Sequence, residues 1–451
     1  MDIQAEINLI ELRGGGELVI PAGVHQTGPL TLCSNLTIIF ADNARVQFIP
    51  DPNLYPPVWT RWEGVECYAM HPLVFANECE NIKLLGSRKT PIKSFGDEND
   101  LMQNENFHQA KSGTDTKQQV GILDGNGATW WDLFRAHKTN NQTEPTYPYE
   151  IELAKLNPDY LTQPGGGGGR ENQFLRPPLL QLYKCKNVEI SGFNLVNSPF
   201  WTLHTVYSED ITIENMAIIN PDNSINTDAI DIDSSTQVNI VGSCLDVGDD
   251  AITLKSGSGA DGLRVNRPTQ NVKVDNCVIY ASHGGITIGS ETAGGISDVT
   301  ADDCTFLGTQ RAIRIKTRRT RGGVIENIKL NNLKMKRCWC PIAISQFYQP
   351  GVNLKNAKEA WILSKEEQPI SELTPIIRNV TIKNIEASNC LATAAFIVGL
   401  PEQPITQLTI ENFKWELAPS DELLPTSEAE MTGGLFNDEN RGIKIINAVY
   451  G

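Results

Sequence analysis

The feature that most constrains the fold of this chain is a short recurring string. A polar residue, often Asn, is followed by an apolar, a polar and a second apolar residue. The copies begin at Asn35, Asn81, Asn187, Asp210, Gln237, Asn271, Asp298, Asn327, Asn379 and Gln407. From Asn187 to Asn327 successive copies start 23 to 34 residues apart, a spacing typical of solenoid repeats.

The repeat predicts stacked β-strands. Alternation of apolar and polar residues, with β-branched side chains, indicates short strands. Short strands stacked coil on coil form a parallel β-helix, in which each coil buries its apolar face against its neighbours. We therefore expect one all-β domain over residues 1–451 and no sustained helical segment. A β-sandwich is the alternative.

Two polar stretches interrupt the repeat. Residues 87–118 contain few apolar side chains, and residues 134–173 include five consecutive glycines. Long insertions in a compact domain are usually functional or disordered. On a solenoid they would form walls beside a binding face, whereas the glycine run could equally be a flexible linker. Either insertion could also serve as a subunit interface, so a homo-oligomer stays open.

Charge and cysteine content narrow the functional class. The 451 residues carry 54 acidic and 38 Lys or Arg side chains, a net charge of −16, which argues against nucleic acids and anionic membranes as partners. No apolar run is long enough to span a bilayer. The amino terminus has no signal-peptide pattern. Cysteines such as Cys277 and Cys304 fall inside the repeat, where buried free thiols suit a reducing compartment. We expect a cytoplasmic protein, or a secreted one if a leader was removed.

Four coils contain a second predicted strand, and aligning these four strands places several charged residues near one another. The strands begin at Asp228, Asp250, Gly284 and Arg311, which stacking places in one column. The alignment then predicts an inward column of Ile230, Ile252, Ile286 and Ile313. Period-two alternation turns Asp249, His283, Arg314 and Lys316 outward. Neighbouring coils lie about 4.8 Å apart, so these charges should meet on one small patch.

Such a patch suits hydrolysis of a charged sugar. Carboxylates in close proximity raise at least one pKa, which supplies a proton donor beside ionised neighbours. One carboxylic acid can then protonate a glycosidic oxygen while another activates water. Basic residues between Arg311 and Arg321 could hold a uronic-acid carboxylate. Taken singly, an Asp-Asp pair is more often a solvated turn or a calcium ligand, and a lone His is usually structural.

At these residues the sequence resembles the polygalacturonases of glycoside hydrolase family 28. The shared motifs are Asn226-Thr-Asp228, Gly248-Asp-Asp250, Ser282-His-Gly284 and Arg314-Ile-Lys316. The resemblance implies a right-handed parallel β-helix and inverting hydrolysis of α-1,4-galacturonosidic bonds without a metal or other cofactor. The implied substrate is a galacturonic-acid oligo- or polysaccharide.

The resemblance also implies individual roles. Asp249 resembles the general acid, Asp228 and Asp250 the pair that holds the attacking water, and His283 a residue that keeps the acid protonated. Ligands of the substrate are implied at Arg314, Lys316, Asn226, Lys255 and Tyr348.

The segment from Phe48 to Phe75 resembles bacterial exo-acting members, which makes Arg61, Trp62 and Arg176 candidate contacts for a terminal sugar. Structural ion pairs and coil packing are equally compatible with these three residues. Rival functions are a rhamnogalacturonan or xylogalacturonan hydrolase, a calcium-dependent pectate lyase, and a non-catalytic carbohydrate-binding β-helix.

Overall fold

The computed structural model describes residues 1–91, 120–163 and 170–450, which form a parallel β-helix. The prediction of an all-β solenoid is confirmed. An 11-stranded parallel sheet, called sheet B here, carries the second-strand motifs. Its strands are β3 (Leu30–Thr31), β8 (Val74–Asn77), β11 (Leu180–Tyr183), β14 (Leu203–Val206), β17 (Ile230–Asp233), β20 (Ile252–Lys255), β23 (Gly284–Gly289), β26 (Arg311–Lys316), β28 (Cys340–Ser345), β30 (Ala395–Val398) and β32 (Ile443–Ile446).

A 20-stranded sheet, sheet A, contains two parallel ladders. The first comprises β1 (Gly16–Ile20), β4 (Leu36–Phe40), β9 (Glu80–Leu85), β12 (Lys186–Ser191), β15 (Glu209–Glu214), β18 (Thr236–Val241), β21 (Thr269–Asp275), β24 (Ile296–Asp302), β27 (Val324–Lys336), β29 (Ile376–Cys390), β31 (Ile405–Leu417) and β33 (Ala448–Tyr450). The second comprises β2 (Gly23–Thr27), β5 (Ala44–Phe48), β10 (Ile122–Asp124), β13 (Asn194–Val196), β16 (Ala217–Ile219), β19 (Cys244–Asp246), β22 (Val278–Ile279) and β25 (Thr305–Leu307). It continues into β27, which pairs with both β24 and β25.

The polar residue that starts each repeat has a conformational role. At every one of the repeat starts named above, φ lies between 52° and 59°, in the left-handed region that Asn tolerates better than most residues. Several of these side chains also bond from coil to coil: Asn81 Nδ2 donates to Asn35 Oδ1 at 2.8 Å, and Asn187 Nδ2 to Asn81 Oδ1 at 2.7 Å. Asn is therefore preferred both because it tolerates the left-handed conformation and because its side chain hydrogen-bonds to the Asn of the neighbouring coil.

The interior is built by the predicted apolar column. Ile230 pairs with Ile252, Ile252 with Ile286, and Ile286 with Ile313, all in the predicted register. Each is at most 2% exposed. Because the side-chain period of a strand is two, the residues next to these isoleucines along each strand, such as Asp231 and Arg314, face the opposite side of the sheet.

Helices are present, so the expectation of none was wrong. They are α1 (Ile3–Leu12), α2 (Ala128–Thr139), α3 (Pro148–Leu156) and α4 (Gly259–Val265), with 3-10 turns at Pro52–Leu54, Ala360–Leu363 and Thr426–Ala429. In α1 the buried residues Ile3, Ile7 and Ile10 recur at helical spacing, and the helix packs on β1, β3 and β4. Helix α1 therefore covers the end of the first coil.

The insertions differ from simple loops where they are described. Residues 134–163 include the end of α2 and all of α3, while residues 164–169 lie outside the described residues. Of the first insertion, residues 92–118 lie outside the described residues as well. Whether residues 1–451 form a single domain stays a prediction. Among the described residues, no helix has both the length and the apolarity to cross a membrane.

A hairpin stands apart from the solenoid sheets. Strands β6 (Pro57–Trp62) and β7 (Val65–Met70) pair antiparallel, with Glu63 and Gly64 as the connecting turn. The hairpin contacts the outward side of sheet B, where Thr60 Oγ1 donates to Gln181 Oε1 at 2.7 Å and Arg61 Nη1 donates to Asp233 Oδ1 at 2.7 Å. It therefore contacts sheet B from β11 to β17, the strand that follows Asp228.

Candidate active site

Three aspartates from two coils meet at the start of sheet B strands. Asp228 precedes β17, and Asp249 and Asp250 precede β20. A carboxylate oxygen from each lies within 4.8 Å of one from each of the others. The coils are held in register here, since Ala229 N donates to Asp250 O at 3.0 Å and Ala251 N donates to Gly284 O at 2.7 Å. The predicted convergence of these carboxylates is confirmed.

Asp250 is the most constrained of the three. It is fully buried, with Lys316 Nζ 2.5 Å from Oδ2 and Arg314 Nη1 3.2 Å from Oδ1. Burial alone would raise the pKa of Asp250, but Lys316 and Arg314 together lower it below its ordinary value. Asp250 is therefore an ionised acceptor in a fixed position.

Arg314 is held by a residue that the sequence did not indicate. Its Nε and Nη2 donate to Glu430 Oε2 and Oε1 at 3.0 and 2.6 Å, and both side chains are at most 1% exposed. Glu430 follows the 3-10 turn Thr426–Ala429, 116 residues after Arg314 and outside the repeat motifs. The Arg314 guanidinium thus contacts two carboxylates of the protein itself.

Asp249 pairs with His283 from the next coil. Asp249 Oδ1 lies 3.2 Å from His283 Nδ1, and the two side chains are 20% and 36% exposed. The charge of Asp249 raises the pKa of His283 despite partial burial. In turn, burial acts to raise the pKa of Asp249, but His283 outweighs burial and lowers it. A lowered pKa favours ionised Asp249, which is the opposite of the implied role in which His283 keeps Asp249 protonated.

The pKa of Asp228 shifts the other way. Burial raises it well above the ordinary value, and the neighbouring charges of Asp231 and Asp249 add to the effect. Asp231, fully buried on β17, has its own pKa raised by burial. Carboxyls that interact this strongly titrate as a group, so the proton that the cluster retains belongs to the group. The aspartates thus combine a protonated site with ionised neighbours.

The pocket beside these carboxylates is strongly charged. Its lining residues are Glu63, Trp201, Asn226, Asp228, Asp249, Lys255, Ser290, Glu291, Lys316, Arg321, Tyr348 and Pro350. Three of these side chains are cationic. Lys255 Nζ lies 3.1 Å from Glu291 Oε2 and 4.5 Å from the centre of the Trp201 ring. Lys316 Nζ lies 5.2 Å from the Tyr348 ring centre.

Glu291 keeps two of the pocket cations in place. Burial acts against its charge, yet Lys255 and Arg321 lower its pKa to about 2. Arg321 Nη1 also donates to Ser258 Oγ and lies 3.7 Å from Glu291 Oε1. The sequence grouped Arg321 with the basic cluster after Arg311 but did not assign it an individual role. Glu291 was not predicted, and no sequence pattern indicated it.

Asn226 reaches the pocket with support from Arg176. Asn226 has a φ of 54°, and its Oδ1 accepts a hydrogen bond of 2.8 Å from Arg176 Nη2. Arg176 also donates to the carbonyls of Pro199 and Ile225, and burial lowers its pKa to about 9. Arg176 is only 1% exposed and lies behind the described residues that line the pocket.

The other terminal-sugar candidates are also packed away from the pocket. Arg61 is completely buried and pairs with Asp233 at 2.7 Å, while its guanidinium lies 4.6 Å from the Tyr207 ring centre. Trp62 stacks on Phe200 with ring centres 5.2 Å apart. Among the described residues of this hairpin, Glu63 is the one that lines the pocket. Sequence reasoning missed Glu63.

The aspartate cluster also has the spacing to hold a cation. However, both oxygens of Asp250 are already in contact with Arg314 or Lys316. The charge of these three carboxylates is therefore partly neutralised by Arg314 and Lys316. This neutralisation favours proton transfer at the carboxyls over metal binding.

Comparison with known proteins identifies the family. The sequence profile described as glycosyl hydrolases family 28 matches residues 166–423, more than half of the chain. This chain belongs to that family. It is therefore a glycoside hydrolase, and the aspartate pocket lies within the matched residues except for Glu63.

Relatives and solved structures agree with the assignment. The chain is 26% identical over 439 residues to a probable polygalacturonase of Vitis vinifera, covering 96% of this chain and 73% of the relative. It superposes on a hyperthermoactive exopolygalacturonase from Thermotoga maritima with a TM-score of 0.69 and 29% identity, covering 99% of this family 28 chain and 86% of the other. A polygalacturonase from Erwinia carotovora ssp. carotovora shares the fold, with a TM-score of 0.64, 20% identity and coverage of 100% and 92%.

Proposed function

We propose that this family 28 protein is a polygalacturonase that hydrolyses α-1,4-galacturonosidic bonds of pectin-derived chains. The observation that carries the proposal is that carboxylate oxygens of Asp228, Asp249 and Asp250 lie within 4.8 Å of one another. Asp228 and Asp249 line a pocket that is also lined by Lys255, Lys316 and Arg321, and Asp250 is buried beside it. The carboxyls supply acid–base chemistry, and the cations complement a sugar that bears a carboxylate.

In the proposed reaction Asp249 protonates the glycosidic oxygen as the bond to the anomeric carbon breaks. Asp228 and Asp250 orient a water, take its proton, and direct its oxygen to the opposite face of that carbon, which inverts the configuration. Asp249 is the aspartate that is 20% exposed beside the pocket, and Asp250 is the one held by two cations. Before the bond breaks, Asp249 takes up the proton that the coupled cluster retains.

We also propose binding roles for the surrounding residues. Lys316, Lys255 and Arg321 hold the substrate carboxylate, while Asn226 and Tyr348 contact the sugar from the pocket wall. Arg314 orients Asp250, with which it is in contact at 3.2 Å. His283 stabilises the carboxylate that Asp249 becomes after it donates its proton, since its pKa is raised beside Asp249.

We propose exo action, in which units are removed from a chain terminus. The β6–β7 hairpin supports this mode, because it is anchored on β11 and β17 and its tip lines the pocket. The similarity to the Thermotoga maritima exopolygalacturonase is in keeping with it.

Incubation with polygalacturonate and with short oligogalacturonides tests this function. We expect galacturonate monomer as the first product, with its anomeric configuration inverted when followed by proton NMR. An early ladder of oligomers would refute exo action. Ultraviolet-absorbing unsaturated products that vanish with a chelator would indicate a lyase, and activity only on decorated pectin would indicate a hydrolase for rhamnogalacturonan or xylogalacturonan.

We further propose that the protein works in the cytoplasm on imported oligogalacturonates. All ten cysteines lie in described residues, and each is a buried free thiol, which suits a reducing compartment. Fractionation of the native host, with the antibody signal in the soluble cytoplasmic fraction, is the expected result. Signal in the extracellular fraction would contradict it.

A further inference from the structure

The β6–β7 hairpin is anchored to the solenoid by buried side chains. Trp62 Nε1 donates to the Arg176 carbonyl at 3.1 Å, and Arg61 Nη1 donates to Ser234 Oγ as well as to Asp233. Trp62 and Arg61 are at most 2% exposed. The position of the turn at the end of the hairpin is therefore fixed by buried contacts.

The turn itself is unusual in sequence. Glu63 and Gly64 have φ values of 43° and 78°, and such turns favour Asn or Asp before Gly. Gly64 packs so closely that a Cβ atom would lie 2.8 Å from Glu291 Cγ, and its carbonyl accepts a hydrogen bond of 2.9 Å from Ser258 N. The turn accounts for both left-handed conformations, but it does not account for a glutamate at its first position. Residues held in sparsely populated conformations gather at functional sites.

Glu63 is an acidic residue of the pocket lining, contributed by the hairpin turn. It is 5% exposed and lines the pocket with Asn226, Asp228, Lys255 and Glu291. A carboxylate accepts hydrogen bonds from sugar hydroxyls and repels the carboxylate of a uronic acid. In this lining it suits the hydroxyl edge of a sugar and opposes a further galacturonate.

We infer that Glu63 determines end specificity: it accepts a hydrogen bond from the free 4-hydroxyl of the terminal galacturonate and excludes a chain that continues beyond it. The inference rests on the proposed function of the pocket. In an α-1,4-linked chain the 4-hydroxyl is free only at the non-reducing terminus, because every other unit uses that oxygen for its linkage. A carboxylate that meets the 4-position of the bound sugar can therefore distinguish a terminal unit from an internal one.

The test compares kcat/KM on three trimers: trigalacturonate, a trimer whose non-reducing unit is 4-deoxy, and a trimer whose reducing end is an alditol. The enzymes are wild type, Glu63→Gln, Glu63→Asn and Glu66→Gln. Gln keeps the side-chain length without charge, and Asn retains a turn-compatible residue with a shorter side chain. Glu66 is the matched control, since it lies on the same hairpin and pairs with Arg264.

We expect wild type and Glu66→Gln to prefer trigalacturonate over the 4-deoxy trimer by about tenfold or more, the usual effect of a hydrogen bond to a charged group. Both Glu63 variants should reduce this preference to about threefold or less and release oligomers from polygalacturonate. Unchanged preference in both variants, or discrimination at the alditol end, would overturn the inference while leaving the hydrolase function standing. No cleavage of trigalacturonate by wild type would refute the proposed function and this inference together.

Discussion

Replacing Glu430 with Gln probes the buried charges that hold Asp250. Glu430 accepts two hydrogen bonds from Arg314, at 3.0 and 2.6 Å, and both side chains are at most 1% exposed. Without the Glu430 charge, the Arg314 guanidinium stays buried with Asp250 as its remaining carboxylate partner. Breaking a buried ion pair by removing one partner costs about 3–5 kcal/mol of unfolding free energy.

The pKa of Glu430 leads to a similar free energy of stabilisation. The pKa of Glu430 falls from its ordinary value of 4.5 to about 2, because Arg314 outweighs the effect of burial. That shift corresponds to about 3 kcal/mol of stabilisation in the ionised state. A depressed folded-state pKa contributes stability above the unfolded pKa, and this contribution is lost as the pH falls through the folded value. The Glu430 contribution should therefore be complete at pH 7 and disappear between about pH 4.5 and pH 2.

The assay is equilibrium urea unfolding of wild type, Glu430→Gln and the control Glu326→Gln at several pH values. Glu326 also binds an arginine, Arg378, at 2.6 Å, but those side chains are 31% and 47% exposed. We expect a loss of about 3 kcal/mol for Glu430→Gln at pH 7, against less than about 1 kcal/mol for the control. The difference from wild type should shrink below pH 4.5. Equal small losses for both variants, or a difference that grows in acid, would refute this reasoning.

Two further predictions concern activity. His283→Gln removes the charge that lowers the pKa of Asp249, so the alkaline limb of the kcat/KM profile should move to higher pH; a shift to lower pH would instead mean that His283 keeps Asp249 protonated. Lys316→Met should weaken competitive inhibition by galacturonate about tenfold or more while changing inhibition by galactose less than about threefold, and equal losses would contradict a carboxylate-binding role.

The sequence predicted the parts of the fold that follow from short-range periodicity. The isoleucine column around Ile252 has the expected register because alternation fixes which face each residue takes. The same stacking brought Asp228 and Asp250 together. The capping helix was missed, although Ile3, Ile7 and Ile10 carry its period, because ten residues give a weak signal beside a repeat that extends along the whole chain.

What the sequence could not supply are contacts between distant segments that follow no repeat. Glu430 reaches Arg314 from a segment near the carboxyl terminus, and Glu63 reaches the pocket from a hairpin inserted between coils. The sequence placed the basic residues after Arg311 in one cluster, but it did not indicate that Glu430 and Glu291 pair with them. Arg314 therefore looked like a free ligand for substrate, whereas it contacts Asp250 and Glu430.

The central claim is that Asp228, Asp249 and Asp250 act as one catalytic unit. The direct measurement is turnover of trigalacturonate by Asp228→Asn, Asp249→Asn, Asp250→Asn and the triple variant, with the exposed Asp298→Asn on sheet A as control and circular dichroism to check folding. We predict that turnover falls about a hundredfold or more in each single variant and is unchanged in the control. Turnover by the triple variant should be only slightly lower than that of the least active single variant. Near-normal turnover by a folded Asp249→Asn, or losses that multiply in the triple variant, would contradict the account.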